Sequence, residues 1–183
     1  MKKLSLLFLV VFSLGFISFK ALEKRARNRS FFNGELNGAP YIIIDKSDYE
    51  LNVYDGEGWY ATYPVVFGSK SLDDKMMEGD RKTPEGNYKI ISKRPHEKWG
   101  KILLIDYPNQ LDIQKFNSRK SRGMVPPNAK IGGGIGIHGT WARDEMAVDY
   151  FQNWTNGCVS MKREEINEIF RMIPIGTRVT IRR

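Results

Sequence analysis

The sequence of 183 residues is poor in cysteine and histidine, with only Cys158, His96 and His138. One cysteine cannot form a disulfide within the chain, so Cys158 is either a small buried side chain or a reactive thiol. Two histidines and one cysteine fall short of the closely spaced ligand sets that bind zinc. We therefore predict no metal and no other cofactor, and we expect His96, in the charged stretch 94–98, to be a solvated loop residue.

After residue 19 the sequence also lacks long apolar runs, internal repeats and low-complexity tracts. Hydrophobic residues form 41% of the chain and aromatic residues 12%, which suits one packed domain. The net charge is +8, and residues 1–30 hold +6 of it, from seven Lys and Arg residues against one Glu. After residue 30 the net charge is only +2, and the basic residues there are interspersed with acidic ones. The clustered cations that bind nucleic acid are therefore missing. No nucleic-acid partner is predicted.

The N-terminus has the pattern of an export signal, because Lys2 and Lys3 precede an apolar run over residues 4–19. Residues 1–19 are predicted to be a signal peptide or a membrane anchor. The absence of a small-x-small pattern before Lys20 favours the anchor, although the run is short for a membrane span. The basic linker 20–40 follows, and the positive-inside tendency opposes an outward orientation. We expect the domain in the cell envelope, on the periplasmic or extracytoplasmic side.

Residues 41–183 are predicted to form one mainly β domain with short helices. Runs rich in β-branched and aromatic residues, bounded by Gly, Pro, Asp or Asn, indicate strands. These runs are 41–45, 51–54, 59–67, 87–93, 102–106 and 176–183. Apolar residues at helical spacing indicate helices over 143–151 and 163–172. The segment 118–130 is interpreted either as a loop over a cleft or as a plain surface connection.

The chemistry of the chain centres on His138 and Cys158. His138 ends a short apolar strand after three glycines at 132–134, and Cys158 follows Gly157. An imidazole within hydrogen-bonding reach can deprotonate a thiol for attack on a carbonyl. Gly157 leaves room for that carbonyl, and the N–H of Cys158 can donate to the oxyanion. The alternatives are a structural histidine and a cysteine that only fills space in the core.

Two motifs in this order resemble the L,D-transpeptidase catalytic domain, also called the YkuD domain. One is His138 in an Ile-His-Gly context followed by Thr155-Asn156-Gly157-Cys158-Val159. The other is the sequence Gly-Asp-Arg-Lys-Thr-Pro-Glu-Gly at 79–86, similar to a hairpin of that family. The resemblance extends over about residues 41–181, and the strands at its start also match.

The resemblance implies a β-sandwich-like fold and an enzyme that acts on the stem peptides of peptidoglycan. Cys158 would be the nucleophile, His138 the base and then the acid, and the carbonyl of Gly139 would orient the imidazole. An amine acceptor would yield 3-3 cross-links or attach a protein to the wall, with effects on wall biogenesis and cell shape. Water as acceptor would make the protein an L,D-endopeptidase or carboxypeptidase that cleaves wall peptides or releases wall-attached protein. A third hypothesis is a catalytically silent wall-binding module.

Substrate contacts are predicted around the two reactive residues. Many relatives have His where this chain has Asn156, and Arg or Asn where it has Ser160, so these contacts differ from the usual pattern. Trp141 and Trp154 either form an aromatic wall or pack in the core. Arg143, Lys162 or Arg163 would supply a cation for a stem-peptide carboxylate, or lie on exposed helix faces. The predicted substrate-binding residues are Gly157, Asn156, Thr155, Ser160, Trp141 and Arg143.

Overall fold

The computed structural model describes residues 35–183. The predicted signal or anchor at 1–19, and the linker up to residue 34, lie outside the described residues. The described part of the chain contains eight strands and three helices. In chain order they are β1 (Tyr41–Asp45), β2 (Glu50–Asp55), β3 (Gly58–Pro64), β4 (Gly86–His96), β5 (Gly100–Ile105), α1 (Gln110–Ser121), β6 (Gly136–Gly139), α2 (Met146–Asp149), β7 (Val159–Met161), α3 (Arg163–Met172) and β8 (Arg178–Arg182).

The strands are joined in the order β3-β2-β1-β8-β4-β5-β6-β7. Hairpins pair β1 with β2, β2 with β3 and β4 with β5, while β8 runs parallel to β1. The long strand β4 connects two halves, because its residues 86–89 pair with β8 and the residues from Ile90 onward pair with β5. At the far edge, β6 is antiparallel to β5 and parallel to β7. The predicted mainly β fold with short helices is confirmed.

The hydrophobic core forms where the inward side chains of the strands meet helix α3. Burial alternates along β1, β2 and β8, as expected for strands with one face on the core. Helix α3 contacts β5 and β6, and its Ile166 and Ile169 are fully buried. Because β6 contains His138, the packing of α3 also holds this part of the candidate site in place.

Three elements differ from the sequence prediction. Strand β3 ends at Pro64 rather than at residue 67, because Val66 exchanges two backbone hydrogen bonds of 2.8 Å with Ser160 instead of continuing the hairpin. The helix predicted at 143–151 is limited to α2, and Phe151 after it adopts the left-handed φ of 52°. Helix α1 was not predicted, and it includes the start of the supposed loop 118–130.

Part of the predicted linker contacts the domain. The amide of Asn37 donates to Asp55 Oδ2 at 2.9 Å, and its side chain donates to Glu57 Oε1 at 2.8 Å. Leu36 packs against the core. Residues 36 and 37 thus belong to the folded unit. Within 35–183, no helix is both long enough and apolar enough to cross a bilayer.

Replacing Ile169 by alanine should lower the free energy of unfolding by about 2–5 kcal/mol, because the change leaves a cavity between α3 and the sheet. Ile169 is fully buried, whereas Ile175, just beyond the helix, is 62% exposed. The control Ile175→Ala should change stability by no more than about 0.5 kcal/mol. Urea denaturation measures both values, and equal effects of the two substitutions would contradict the proposed core.

Candidate active site

The parallel pairing of β6 and β7 brings His138 and Cys158 to the same face of the sheet. Ile137 is opposite Val159, and His138 is opposite Ser160. Cys158 directly precedes β7, two positions before Ser160, and the alternation of side chains in extended chain assigns it to the side of Ser160 and His138. The reactive residues thus belong to β6 and to the start of its neighbour β7. Nineteen residues lie between them, and those after the end of β6 form the connection 140–157, which includes α2.

His138 is held in a defined tautomer by its own strand. Its Nδ1 atom lies 2.8 Å from the carbonyl oxygen of Gly139, which can only accept a hydrogen bond, so Nδ1 carries the proton. The lone pair of Nε2 is then free to take a proton. Gly139 is required for close packing, because a Cβ there would lie 2.5 Å from the carbonyl oxygen of Trp99. The contact between Nδ1 and the Gly139 carbonyl is the one that the predicted orienting role of Gly139 requires, and the role itself stays a prediction.

Aromatic rings surround the imidazole on two sides. The indole of Trp99 stacks on it at a centroid distance of 4.2 Å, and Trp154 meets it edge-on at 5.5 Å. His138 is 1% exposed. Burial lowers its pKa to about 4, although the hydrogen bond to Gly139 opposes this shift. The imidazole is therefore neutral and able to accept a proton at any pH well above 4.

Cys158 is a half-buried free thiol beside the glycine-rich segment 132–134. Its Sγ atom lies 3.6 Å from the carbonyl oxygen of Gly134, a contact that the protonated thiol can make as donor. Burial raises the thiol pKa, and the N–H of Gly136 and the charge of Lys75 oppose this only in part. No hydrogen bond within 35–183 joins Sγ to the imidazole. The resting pair is thus a neutral thiol and a neutral imidazole.

The loop before Cys158 is closed by hydrogen bonds of Thr155. Its hydroxyl donates to the carbonyl of Cys158 at 2.7 Å and accepts from the amide of Gly157 at 3.1 Å. Gly157 has φ +118°, and a Cβ there would lie 2.7 Å from the carbonyl oxygen of Lys82. The structure thus explains two residues of the Thr-x-Gly-Cys sequence. The threonine closes the turn, and the glycine lets a second segment of the chain approach the backbone of this turn.

That second segment is 79–86, which is a loop before β4 rather than the hairpin expected from the sequence. The carboxylate of Asp80 shapes it by accepting from the amides of Met76, Met77 and Lys82 and from Lys75 Nζ at 2.7 Å. Burial alone would raise the pKa of Asp80, but these hydrogen bonds outweigh it and hold that pKa below the ordinary value. The carboxylate therefore stays charged and keeps the loop compact.

Arg81 ties this loop to the cysteine loop. Its Nε atom donates to the carbonyl of Thr155 at 3.2 Å, and its Nη2 atom donates to the carbonyl of Trp154 at 3.1 Å. Gly68 lies at the same junction, since a Cβ on it would be 2.5 Å from the oxygen of Thr155 and 2.7 Å from the nitrogen of Gly157. The two family-like motifs are thus parts of one site.

The predicted substrate-binding residues fall into two groups. Asn156, Arg143 and Trp141 are exposed, and the ring of Trp141 meets that of Trp154 edge-on at 5.8 Å. Thr155 and Ser160 are buried behind the surface, at 3% and 0% exposure, and Gly157 is buried as well. The roles of all six in substrate binding stay predictions.

The other two cations considered for the substrate are engaged within the protein. Lys162 Nζ forms an ion pair with Asp149 at 2.6 Å. Arg163 Nη1 donates to the carbonyls of Lys98 and Thr140 at 3.1 and 3.3 Å. Arg143 is the remaining predicted cation and is exposed.

Sequence reasoning missed Trp99 and the bridging role of Arg81. Trp99 contacts His138, 39 residues further along the chain, and Arg81 contacts Thr155, 74 residues further along. No local sequence pattern reveals contacts over such separations. His96 is not a fully solvated loop residue, because its ring stacks on Trp99 at 4.1 Å. Over residues 35–183, no group of three or more His, Cys, Asp or Glu side chains is arranged to bind a metal ion.

A neutral histidine on β6 and a half-buried cysteine directly before the adjacent strand β7 define a candidate cysteine acyl-transfer site in a mainly β domain. A family model for the L,D-transpeptidase catalytic domain, YkuD, matches residues 39–181. The chain belongs to this family.

Two proteins of similar sequence are named as putative L,D-transpeptidases. The Bacillus subtilis protein "Putative L,D-transpeptidase YqjB" is 29% identical over 150 residues, which are 80% of this chain and 73% of that protein. The Escherichia coli K12 protein "Putative L,D-transpeptidase YafK" is 26% identical over 149 residues, 78% of this chain and 50% of that protein.

Solved structures support the fold. The helical cell shape determining protein Pgp2 of Campylobacter jejuni matches with a TM-score of 0.57 and 23% identity, over 79% of this chain and 48% of that one. An Enterococcus faecium L,D-transpeptidase matches with a TM-score of 0.52 and 16% identity, over 80% and 50%. The chain spans about half the length of these two proteins.

Alkylation of Cys158 by iodoacetamide should accelerate only above the pH at which an ordinary thiol ionises. A raised thiol pKa means that more alkaline solution is needed to form the thiolate, and the neutral imidazole offers no charge to stabilise it. Mass spectrometry measures the rate from acid to alkaline pH, with glutathione titrated in parallel as the control. A reactivity plateau below the glutathione midpoint would reveal a thiolate–imidazolium pair and contradict this description.

Proposed function

We propose that this protein is a peptidoglycan-modifying L,D-transpeptidase that transfers acyl groups of stem peptides through Cys158. The observation that carries the proposal is the proton-accepting Nε2 atom of a neutral, buried imidazole, held on the same face as a half-buried thiol. Such a base converts a thiol into a nucleophile at the moment of attack, without a stable thiolate beforehand. This suits a site in which burial disfavours both charged forms.

The proposed reaction has two halves. As Sγ attacks the carbonyl carbon at the L-centre of the diamino acid, its proton passes to His138 Nε2 and a C–S bond forms. The imidazolium then protonates the departing amine of the following D-residue, the C–N bond breaks, and a thioester remains. An acceptor amine next attacks the thioester carbonyl while His138 takes its proton, and a new C–N bond forms. The C–S bond then breaks, and the imidazolium returns the proton to Sγ to regenerate the thiol.

The oxyanion that forms in both halves needs a hydrogen-bond donor near the sulfur. The backbone N–H of Cys158 is the proposed donor. The turn that positions it is closed by Thr155 and bridged from behind by Arg81. The loop can therefore present this N–H without rearrangement as charge develops.

A hydrolase is the alternative, with water as the acceptor and the same thioester intermediate. It is supported by Asn156, an exposed residue of the cysteine loop, because its uncharged side chain offers no cation for a carboxylate of an acceptor peptide. Such an enzyme would trim wall peptides or release a wall-attached protein. The substrate of either reaction lies outside the cytoplasmic membrane, so the proposal includes export, with residues 1–19 as signal or anchor.

Cys158→Ser should abolish turnover of a disaccharide tetrapeptide with little loss of fold, because the change is nearly isosteric and removes the thiol chemistry. His138→Gln should also abolish it, since an amide cannot accept the proton. Mass spectrometry of the products separates the hypotheses: cross-linked dimers indicate transfer, and tripeptide indicates hydrolysis. Activity retained by either variant would refute the assigned roles, and no product from the wild-type protein would favour a wall-binding module.

Trp141→Ala should raise KM for the disaccharide tetrapeptide by about 10-fold, the order expected when one buried aromatic contact with a ligand is lost. Trp141 is 52% exposed, and Trp154 links it to His138, so it borders the proposed binding surface. Trp59→Ala is the matched control, because Trp59 is 49% exposed and lies on β3. Steady-state kinetics measure KM for both variants, and Trp59→Ala should leave it unchanged. An unchanged KM for Trp141→Ala would show that Trp141 does not bind substrate.

A further inference from the structure

Trp99 lies at the tip of the β4–β5 hairpin and stacks on the imidazole of His138 with an interplanar angle of 19°. The ring of His96 also stacks on the indole of Trp99, at 4.1 Å and 10°. Two imidazoles cannot both lie flat on one face of an indole this close to its centroid, because their atoms would overlap in the plane that they share, so His96 and His138 cover opposite faces. His96, Trp99 and His138 thus form a continuous stack of three rings.

We propose that Trp99, backed by His96, is a positioning residue that fixes the plane of the His138 imidazole for proton transfer with Cys158. The inference rests on the proposed cysteine chemistry and adds a residue to it. The hydrogen bond from Nδ1 to Gly139 fixes one atom of the ring but leaves the ring free to tilt about that bond. A flat indole parallel to the ring removes this freedom, and the edge of Trp154 limits it from another direction.

The hairpin tip is anchored firmly enough for this role. The amide of Lys101 donates to the carbonyl of Trp99 at 2.8 Å, and that carbonyl packs directly on Gly139. Arg163 joins the two elements, because its Nη1 atom donates both to Lys98 on the hairpin and to Thr140 after β6. Trp99 and His138 are therefore parts of one rigid unit.

The stack also sets the electrostatic surroundings of the imidazole. Indole and outer imidazole cover one face of His138 and keep water from it, which favours the neutral base. His96 on the hairpin is the titratable group whose charge acts on His138. Arg163 on α3 donates to the carbonyls of Lys98 and Thr140, and Cys158 directly precedes the neighbouring strand β7. His96 Nδ1 accepts a hydrogen bond from the amide of Lys98 at 3.2 Å. The imidazole of His96, the outer ring of the stack, is therefore also held in place.

The test compares Trp99→Leu, which removes the flat surface, with Trp99→Phe, which keeps one, and with Trp59→Leu as a control far from the stack. Nitrogen-15 NMR follows the titration of His138, assigned by its loss in His138→Gln, and kinetics with disaccharide tetrapeptide give kcat and KM. Trp99→Leu should lower kcat by about 10- to 100-fold with little change in KM. The titration midpoint of His138 should rise from about 4 toward the ordinary value of about 6.5.

Trp99→Phe should restore most of kcat and the low midpoint, and Trp59→Leu should change neither. An unchanged midpoint in Trp99→Leu overturns the proposal, with or without a loss of kcat. If Trp99→Leu does not fold, as judged by circular dichroism, Trp99→Met decides instead, because it also lacks a flat ring and leaves His96 in place: a raised midpoint supports the stack and an unchanged midpoint overturns it. A wild-type protein without turnover would defeat the proposed function, while the NMR titration would still decide the role of Trp99.

Discussion

The parallel pairing of β6 with β7 is the constraint on which the site depends. Its register sets His138 opposite Ser160 and so brings Cys158, two positions earlier, to the strand beside the imidazole despite nineteen residues of intervening chain. Other contacts maintain this short pairing: α3 packs against β6, and Val66 exchanges two backbone hydrogen bonds with Ser160. A shift of one residue would move the thiol to the opposite face, because side chains alternate along a strand. The reactive pair is thus a product of strand register.

Burial determines the chemical character of this pair. Low exposure lowers the pKa of His138 and raises that of Cys158, so both groups rest in their neutral forms. A site of this kind generates its nucleophile during the reaction and does not store a reactive thiolate. The thiol instead rests against the carbonyl of Gly134.

The sequence allowed prediction of the features that depend on local pattern. Strand β1 and helix α3 were predicted with their observed bounds, because each has a clear apolar period between turn signals. Helix α1 was missed because only Leu111, Ile113 and Phe116 interrupt its polar sequence, although Asn109 and Asp112 form a capping box that could have revealed it. Strand β7 has three residues, too few for periodicity to show. Trp99 was missed because its role arises entirely from tertiary contact.

The family resemblance connected motifs that lie far apart in the chain, and the structure gives their physical relation. Arg81 and Gly157 come from different motifs, yet Arg81 donates to the cysteine loop and Gly157 accommodates the segment that contains Lys82.

The tetrapeptide reaction can be tested at its intermediate by intact-mass spectrometry of protein quenched during turnover. The account predicts a thioester adduct of the stem peptide without its terminal D-residue, located on Cys158. Product formation without an adduct at Cys158, or an adduct on another residue, would contradict it.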